Sequence, residues 1–143
     1  MKRFSIILLL LVFFLVFTVS MSTLKAADEE TPPPLSIKEA GLGEGVENRT
    51  LLGAGDIFME GSRVYFFTWV IDGKQGDYVT HVWIHEEEEK LRIELTVGGP
   101  SWRTWSYKNL HPGSAGNWSV EVRDPSGKVL ESMRFKCTPR VSQ

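Results

Sequence analysis

The chain has 143 residues, of which 42% are hydrophobic, 24% charged and 11% aromatic, with a formal net charge of −2. That length holds one domain, or one domain with an appendage, and the balance excludes disordered, collagen-like and low-complexity classes. The single cysteine excludes a disulfide framework and a multi-cysteine zinc site, and no basic excess points to nucleic acid.

Lys2 and Arg3 precede an apolar run from Ile6 to Phe17, which passes through Thr18 and Val19 to Ser20. A short basic start, an apolar stretch and then small polar residues have the layout of a secretory signal. Cleavage is expected after Ser22 or after Ala26. The run is short for a membrane span, which takes roughly 20 apolar residues; an uncleaved anchor in the inner membrane is the alternative. Residues 1–26 are therefore read as a signal helix, and the rest as periplasmic or secreted. Beyond Ala26 there are 13 bases against 18 acids, a net −5, so anionic lipid and nucleic acid are not expected partners. Membrane contact is expected only through the N-terminal segment.

Residues 27–35 include the acidic, proline-rich run Asp28 to Pro34, which cannot bury apolar area and reads as a stem. A domain of residues 36–138 follows, with a tail at 139–143. Ile37 to Ala40 is expected to open a sheet. Arg63 to Ile71 is β-branched and aromatic on both faces, which suits a central strand covered on both sides. Tyr78 to His85 is the next strand, and Glu86 to Glu89 a charged turn. Leu91, Ile93, Leu95 and Val97 alternate with Arg92, Glu94 and Thr96, the pattern of a half-buried strand. Trp102 to Tyr107 adds a short segment.

Trp118, Val120 and Val122 alternate with polar residues, and Val129 to Cys137 returns with Met133, Phe135 and Cys137 on one face. Between them Asp124-Pro125-Ser126-Gly127 has turn chemistry: Pro suits the second position of a type I turn and Gly a left-handed bulge. No window beyond the leader shows a helical apolar stripe. Six or seven short strands then give a small antiparallel immunoglobulin-like β-sandwich, with a small barrel as the alternative.

Chemistry-bearing groups are few. His81 and His85 lie about 13 Å apart on a strand that rises roughly 3.3 Å per residue, too far to share one metal ion. The Glu86 to Glu89 run lacks the spacing and the Gly of a calcium loop. Ser101 and Ser106 lack a Gly-x-Ser-x-Gly elbow. Neither a metal nor a cofactor is expected, and the chain reads as non-catalytic. An envelope hydrolase would need a cleft holding a His bonded to a Ser or a carboxylate.

The aromatic residues are the informative part. In an extended segment Trp102, Thr104 and Ser106 point one way, and Arg103, Trp105 and Tyr107 the other. One tryptophan can thus be buried while the other reaches the surface beside Arg and Tyr. Such a pair either clasps two strands together or forms a platform for a sugar ring or a partner peptide. The candidate binding residues are His81, Trp83, Arg103, Trp105, Ser106 and Tyr107, with an envelope protein or a glycan as partner. A structural accessory domain, packed on another envelope protein through the two-sided strand Arg63 to Ile71, is the alternative.

His81-Val82-Trp83, the segment Trp102-Arg103-Thr104-Trp105-Ser106, and the run from Gly116 to Val122 leading through Asp124-Pro125-Ser126-Gly127 to Leu130 resemble the bacterial domain of unknown function 2914. Asn48-Arg49 is similar to its upstream pattern, although Thr50 stands where Pro is expected. The resemblance spans Glu47 to Cys137. It implies a bacterial domain, often with membrane or export segments, whose activity is unassigned. It carries over no catalytic residue and implies that His81, Trp83, Arg103 and Trp105 cluster.

Overall fold

A computed structural model describes residues 34–141; the leader, most of the stem and the last two residues lie outside them. Ten strands follow one another: β1 (Ser36–Gly43), β2 (Gly45–Glu47), β3 (Thr50–Leu52), β4 (Ile57–Met59), β5 (Arg63–Ile71), β6 (Tyr78–His85), β7 (Glu88–Thr96), β8 (Ser101–Asn109), β9 (Gly116–Arg123) and β10 (Val129–Thr138). They form a three-stranded sheet in the order β1-β5-β8, a five-stranded sheet in the order β4-β10-β9-β6-β7, and the small hairpin β2–β3. Neither large sheet closes on itself, so the sandwich holds and the barrel does not.

Three strands beyond the expected six or seven are the three-residue elements β2, β3 and β4. None is long enough to display an alternation, which is why the pattern of apolar residues does not reveal them. One pairing also departs from the antiparallel expectation. β4 reaches the free edge of β10 after a crossing from the first sheet and runs parallel to it, with Phe58 opposite Cys137.

Strand β5 is central, between β1 and β8, and its two faces are covered by different means. Val64, Phe66, Thr68 and Val70 point between the sheets and are buried. Phe67 points away from the core yet is also buried. The hairpin β2–β3 folds back over this outer face, and its Leu51 side chain lies against Gly41 and Gly43 of β1. Any side chain at Gly43 would meet the Leu52 carbonyl and Leu51, so glycine here permits the close approach of the hairpin.

A line of rings runs through the core. His85 stacks on Trp118 (4.5 Å) and Trp118 on Phe135 (5.8 Å). Phe135 meets Trp83 edge-on, and Trp83 meets Phe66 in the same way. Phe66 lies 4.6 Å from the His81 ring. Val79, Val120, Val122 and Cys137 fill the space beside them. Burial and the nearby Glu60 carboxylate raise the Cys137 thiol above its ordinary value.

The β9–β10 turn follows its residues. The Asp124 carboxylate accepts the backbone N–H of Ser126 and of Lys128, and Gly127 takes the left-handed conformation at φ 88°. In the β6–β7 turn Glu86 and Glu87 are both left-handed, at φ 45° and 69°. The Glu86 side chain is anchored rather than free, accepting the Asn117 N–H at 2.6 Å.

Trp118→Ala is expected to cost about 3–5 kcal/mol, since it removes a ring stacked on two others; chemical denaturation measures it, and a loss below about 1 kcal/mol contradicts this core. Gly43→Ala is expected to cost about 1–3 kcal/mol through overpacking against the hairpin, read in the same way.

Candidate functional site

The six expected site residues fall into two groups on opposite sides of the three-stranded sheet. His81, Trp83 and Ser106 lie between the sheets, and all three are buried. Arg103, Trp105 and Tyr107 lie on the outer face, where they stand opposite Trp69, Phe67 and Tyr65 of β5. The alternation along β8 divides them, because odd and even positions of a strand face opposite ways.

Between the sheets the polar groups form one chain. His81 Nδ1 is 2.8 Å from Ser106 Oγ, and His81 Nε2 is 3.1 Å from Thr68 Oγ1. Trp83 Nε1 donates to Ser106 Oγ at 3.1 Å, and Thr68 Oγ1 donates to the Thr104 carbonyl at 3.4 Å. One arrangement of the hydrogens satisfies every one of these groups within the protein itself. Trp83 offers only a donor, so the Ser106 hydroxyl has one protein acceptor within reach, His81 Nδ1. The imidazole then carries its hydrogen on Nε2 and gives it to Thr68, which gives its own to Thr104. Every hydrogen finds an acceptor, and among the described residues no buried side-chain polar atom lacks a partner. Burial pushes the imidazole down to about 3, so it is neutral at ordinary pH.

This is the His–Ser pair that a hydrolase would need, held buried and neutral between the sheets. An imidazole that protonates only near pH 3 is a weak base for a serine hydroxyl. The serine oxygen also receives a hydrogen bond from Trp83, which withdraws electron density from it. Thr68, not a carboxylate, holds the far nitrogen, and so nothing stabilises an imidazolium. The pair instead joins β5 and β8 of one sheet to β6 of the other.

On the outer face, cations stack on two of the rings. Arg103 and Lys38 stand 3.8 and 3.9 Å from the Trp69 ring centre, too close for both to share one face of the ring. Trp69 is therefore sandwiched, and its Nε1 donates to Ser101. Arg63 lies 4.3 Å over Tyr107. Trp105 carries no such cover and is 37% exposed. The clasp read from the sequence exists, but it joins Arg103 to Trp69 and leaves Trp105 out.

Trp105 borders an opening. Strands β7 and β8 are the free edges of the two sheets on one side of the sandwich. Leu91, Ile93 and Leu95 face inward along β7 but stay only half-buried, because no strand covers them. Here a shallow cavity of about 410 Å³ is lined by Leu91, Ile93, Trp105, Ser106 and Tyr107. As β8 is an edge strand, side chains of both its faces border the slot, and the two groups of candidate residues meet at Ser106. Leu91 and Ile93 are absent from the candidates named from sequence; their half-buried alternation was the signal for them.

A larger concavity of about 920 Å³ lies on the outer face of the five-stranded sheet. Its charges are of both signs, Asp56, Glu86 and Glu87 against Arg134 and Lys136, and no buried polar network opens into it. The slot is the better candidate because its floor is Ser106. His85 stands apart from His81, stacked on Trp118 and within 3.0 Å of the Ala115 carbonyl. Among the described residues no group of three or more His, Cys, Asp or Glu could hold a metal ion.

Residues 76–137 match the sequence model of the family described as Protein of unknown function (DUF2914). The resemblance to DUF2914 holds over these residues. The DUF2914 stretch covers β6 to β10 and with them all six candidate residues, but not Thr68 of β5 nor the upstream Asn48-Arg49. No curated protein matches the chain. Among solved structures, a Niemann-Pick type C2 protein from Japanese carpenter ant is similar, with 7% identity and a TM-score of 0.44, over 76% of this chain and 95% of that one.

The buried imidazole sets a pH dependence. The unfolded chain binds a proton on His81 below pH about 6.5, and the folded chain only near 3. Stability is then complete above pH 6.5 and falls as pH drops, by up to about 1.4 kcal/mol per unit. Carboxylates lowered by their partners, such as Glu60 and Asp124, act only below about 4.5 and so stay out of the window from 6.5 to 4.5. Urea midpoints across that window measure the slope, and an imidazole signal of His81 that titrates above pH 5 in the folded protein overturns it.

Proposed function

We propose that the chain is an exported, non-catalytic binding module of the bacterial envelope, and that its ligand lies in the slot between β7 and β8. Export rests on the leader of residues 1–26, with its basic start and apolar run. A bacterial envelope setting agrees with the DUF2914 resemblance. Non-catalytic action is supported by the neutral, buried imidazole and by the serine oxygen already bonded to Trp83.

One observation carries the choice of site. Among the described residues Trp105 and Tyr107 are the large aromatics left 37% and 46% exposed, and both stand at the rim of an apolar slot with a polar floor. Exposed aromatic surface beside convergent polar groups is the ordinary composition of a ligand site. The accessory-domain alternative rests on the two-sided strand β5; on the outer face of that strand Lys38 and Arg103 lie over Trp69, and Leu51 lies against the adjoining β1.

The five tryptophan indole N–H signals of the full chain provide the test, recorded by NMR while muropeptides or small apolar compounds are added. The signal of Trp105 is expected to move with ligand while those of Trp69 and Trp118 stay. Trp105→Ala is expected to weaken binding about 10-fold or more without lowering the urea midpoint. Binding that leaves Trp105 unmoved and survives the substitution rejects the slot.

A further inference from the structure

The slot has walls of one character and a floor of another. Leu91 and Ile93 supply aliphatic surface, Trp105 and Tyr107 aromatic surface, and no charged side chain lines it. A ligand held here is apolar over most of its area, and the nearby Arg63 stands over Tyr107 rather than in the lining. The polar group at the floor is Ser106, whose hydrogen-bond inventory is almost spent. Its hydroxyl hydrogen goes to His81 Nδ1, and one lone pair receives the Trp83 N–H. One lone pair is left over, and no hydrogen. Ser106 can therefore accept from a ligand but cannot donate to one.

We propose, resting on the slot as the binding site, that the imidazole holds its hydrogen on Nε2 and that the slot therefore selects an apolar alcohol, whose hydroxyl donates to Ser106 Oγ, over the ketone or the carboxylate of the same skeleton. A ketone oxygen at this position would face an oxygen lone pair and lose its hydrogen bonds to water without replacement. A carboxylate would lose the hydration of its charge against aliphatic and aromatic walls and would likewise meet an oxygen lone pair. Thr68 is the positioning residue. By accepting the Nε2 hydrogen it keeps Nδ1 free to accept from Ser106. With Val in its place the imidazole loses that acceptor, and the hydrogen moves to Nδ1, where Ser106 can receive it. The serine hydrogen is then released toward the slot. Buried N–H groups without acceptors are rarer than buried acceptors without donors, which favours that exchange.

Cyclooctanol and cyclooctanone form a suitable pair of probes, equal in shape and different at one hydrogen. Each is titrated into the full chain and into Trp105→Ala, Ser106→Ala and Thr68→Val, with the indole signals reporting both site and affinity. The expected result is at least about 10-fold tighter binding of the alcohol. That preference disappears in Ser106→Ala, and in Thr68→Val it is lost or reversed while the ring still binds. Thr68→Val lies off the slot lining, so a change in the alcohol-to-ketone ratio, rather than in both affinities together, separates the tautomer from a merely structural effect. Equal affinities, or a tighter ketone, at a slot still sensitive to Trp105→Ala would overturn the alcohol selection and leave the slot standing. Neither probe moving the Trp105 signal would overturn both.

Discussion

His81 is the constraint on which the arrangement of the two sheets depends. An imidazole with no solvent exposure has two ring nitrogens to satisfy, and in this sandwich one is met by Ser106 of β8 and the other by Thr68 of β5. Apolar faces can slide past one another at small cost, whereas a buried polar chain is satisfied in one geometry only. Displacing either sheet by one residue would replace Ser106 or Thr68 with a side chain from the outer face. The desolvation that makes the imidazole neutral is the same burial that makes its two partners obligatory.

The two sides of the sandwich differ in consequence. Where β8 meets β7, the inward residues of β7 lack a covering strand. Trp102 packs against the core and lies close to Gly98, at the connection between the two strands, so the sandwich is filled there and open farther along. The slot is thus a result of unequal sheet width, three strands facing five. Its floor is a member of the His81 network because Ser106 is the inward residue of β8 at that point.

The outer face shows how an aromatic set can lose its apparent function to its own chain. Trp69, Tyr107 and Arg103 have the composition of a recognition platform, yet Lys38, Arg103 and Arg63 already lie over the rings. Cation–ring contacts of this kind stabilise a sheet modestly, and those of Lys38 and Arg103 take both faces of Trp69. Trp105, opposite Phe67, has no cation over its ring.

What could be read directly is what depends on period two and on turn chemistry: the central place of Arg63–Ile71, the bounds of Tyr78–His85, the β9–β10 hairpin and the opposed faces of Trp102 and Trp105. Strand pairing order, the parallel strand β4 and the fold-back of β2–β3 over Phe67 were not legible, since three-residue strands carry no period. Nor could the sequence show which of its candidate residues would meet between the sheets. His81 and Ser106 are 25 residues apart, and only the crossing of two sheets makes one the acceptor of the other. The sequence determined which side chains share a face. The tertiary structure decided which faces meet, because hydrogen bonds and burial across a sandwich are set by the packing of strands remote in the chain.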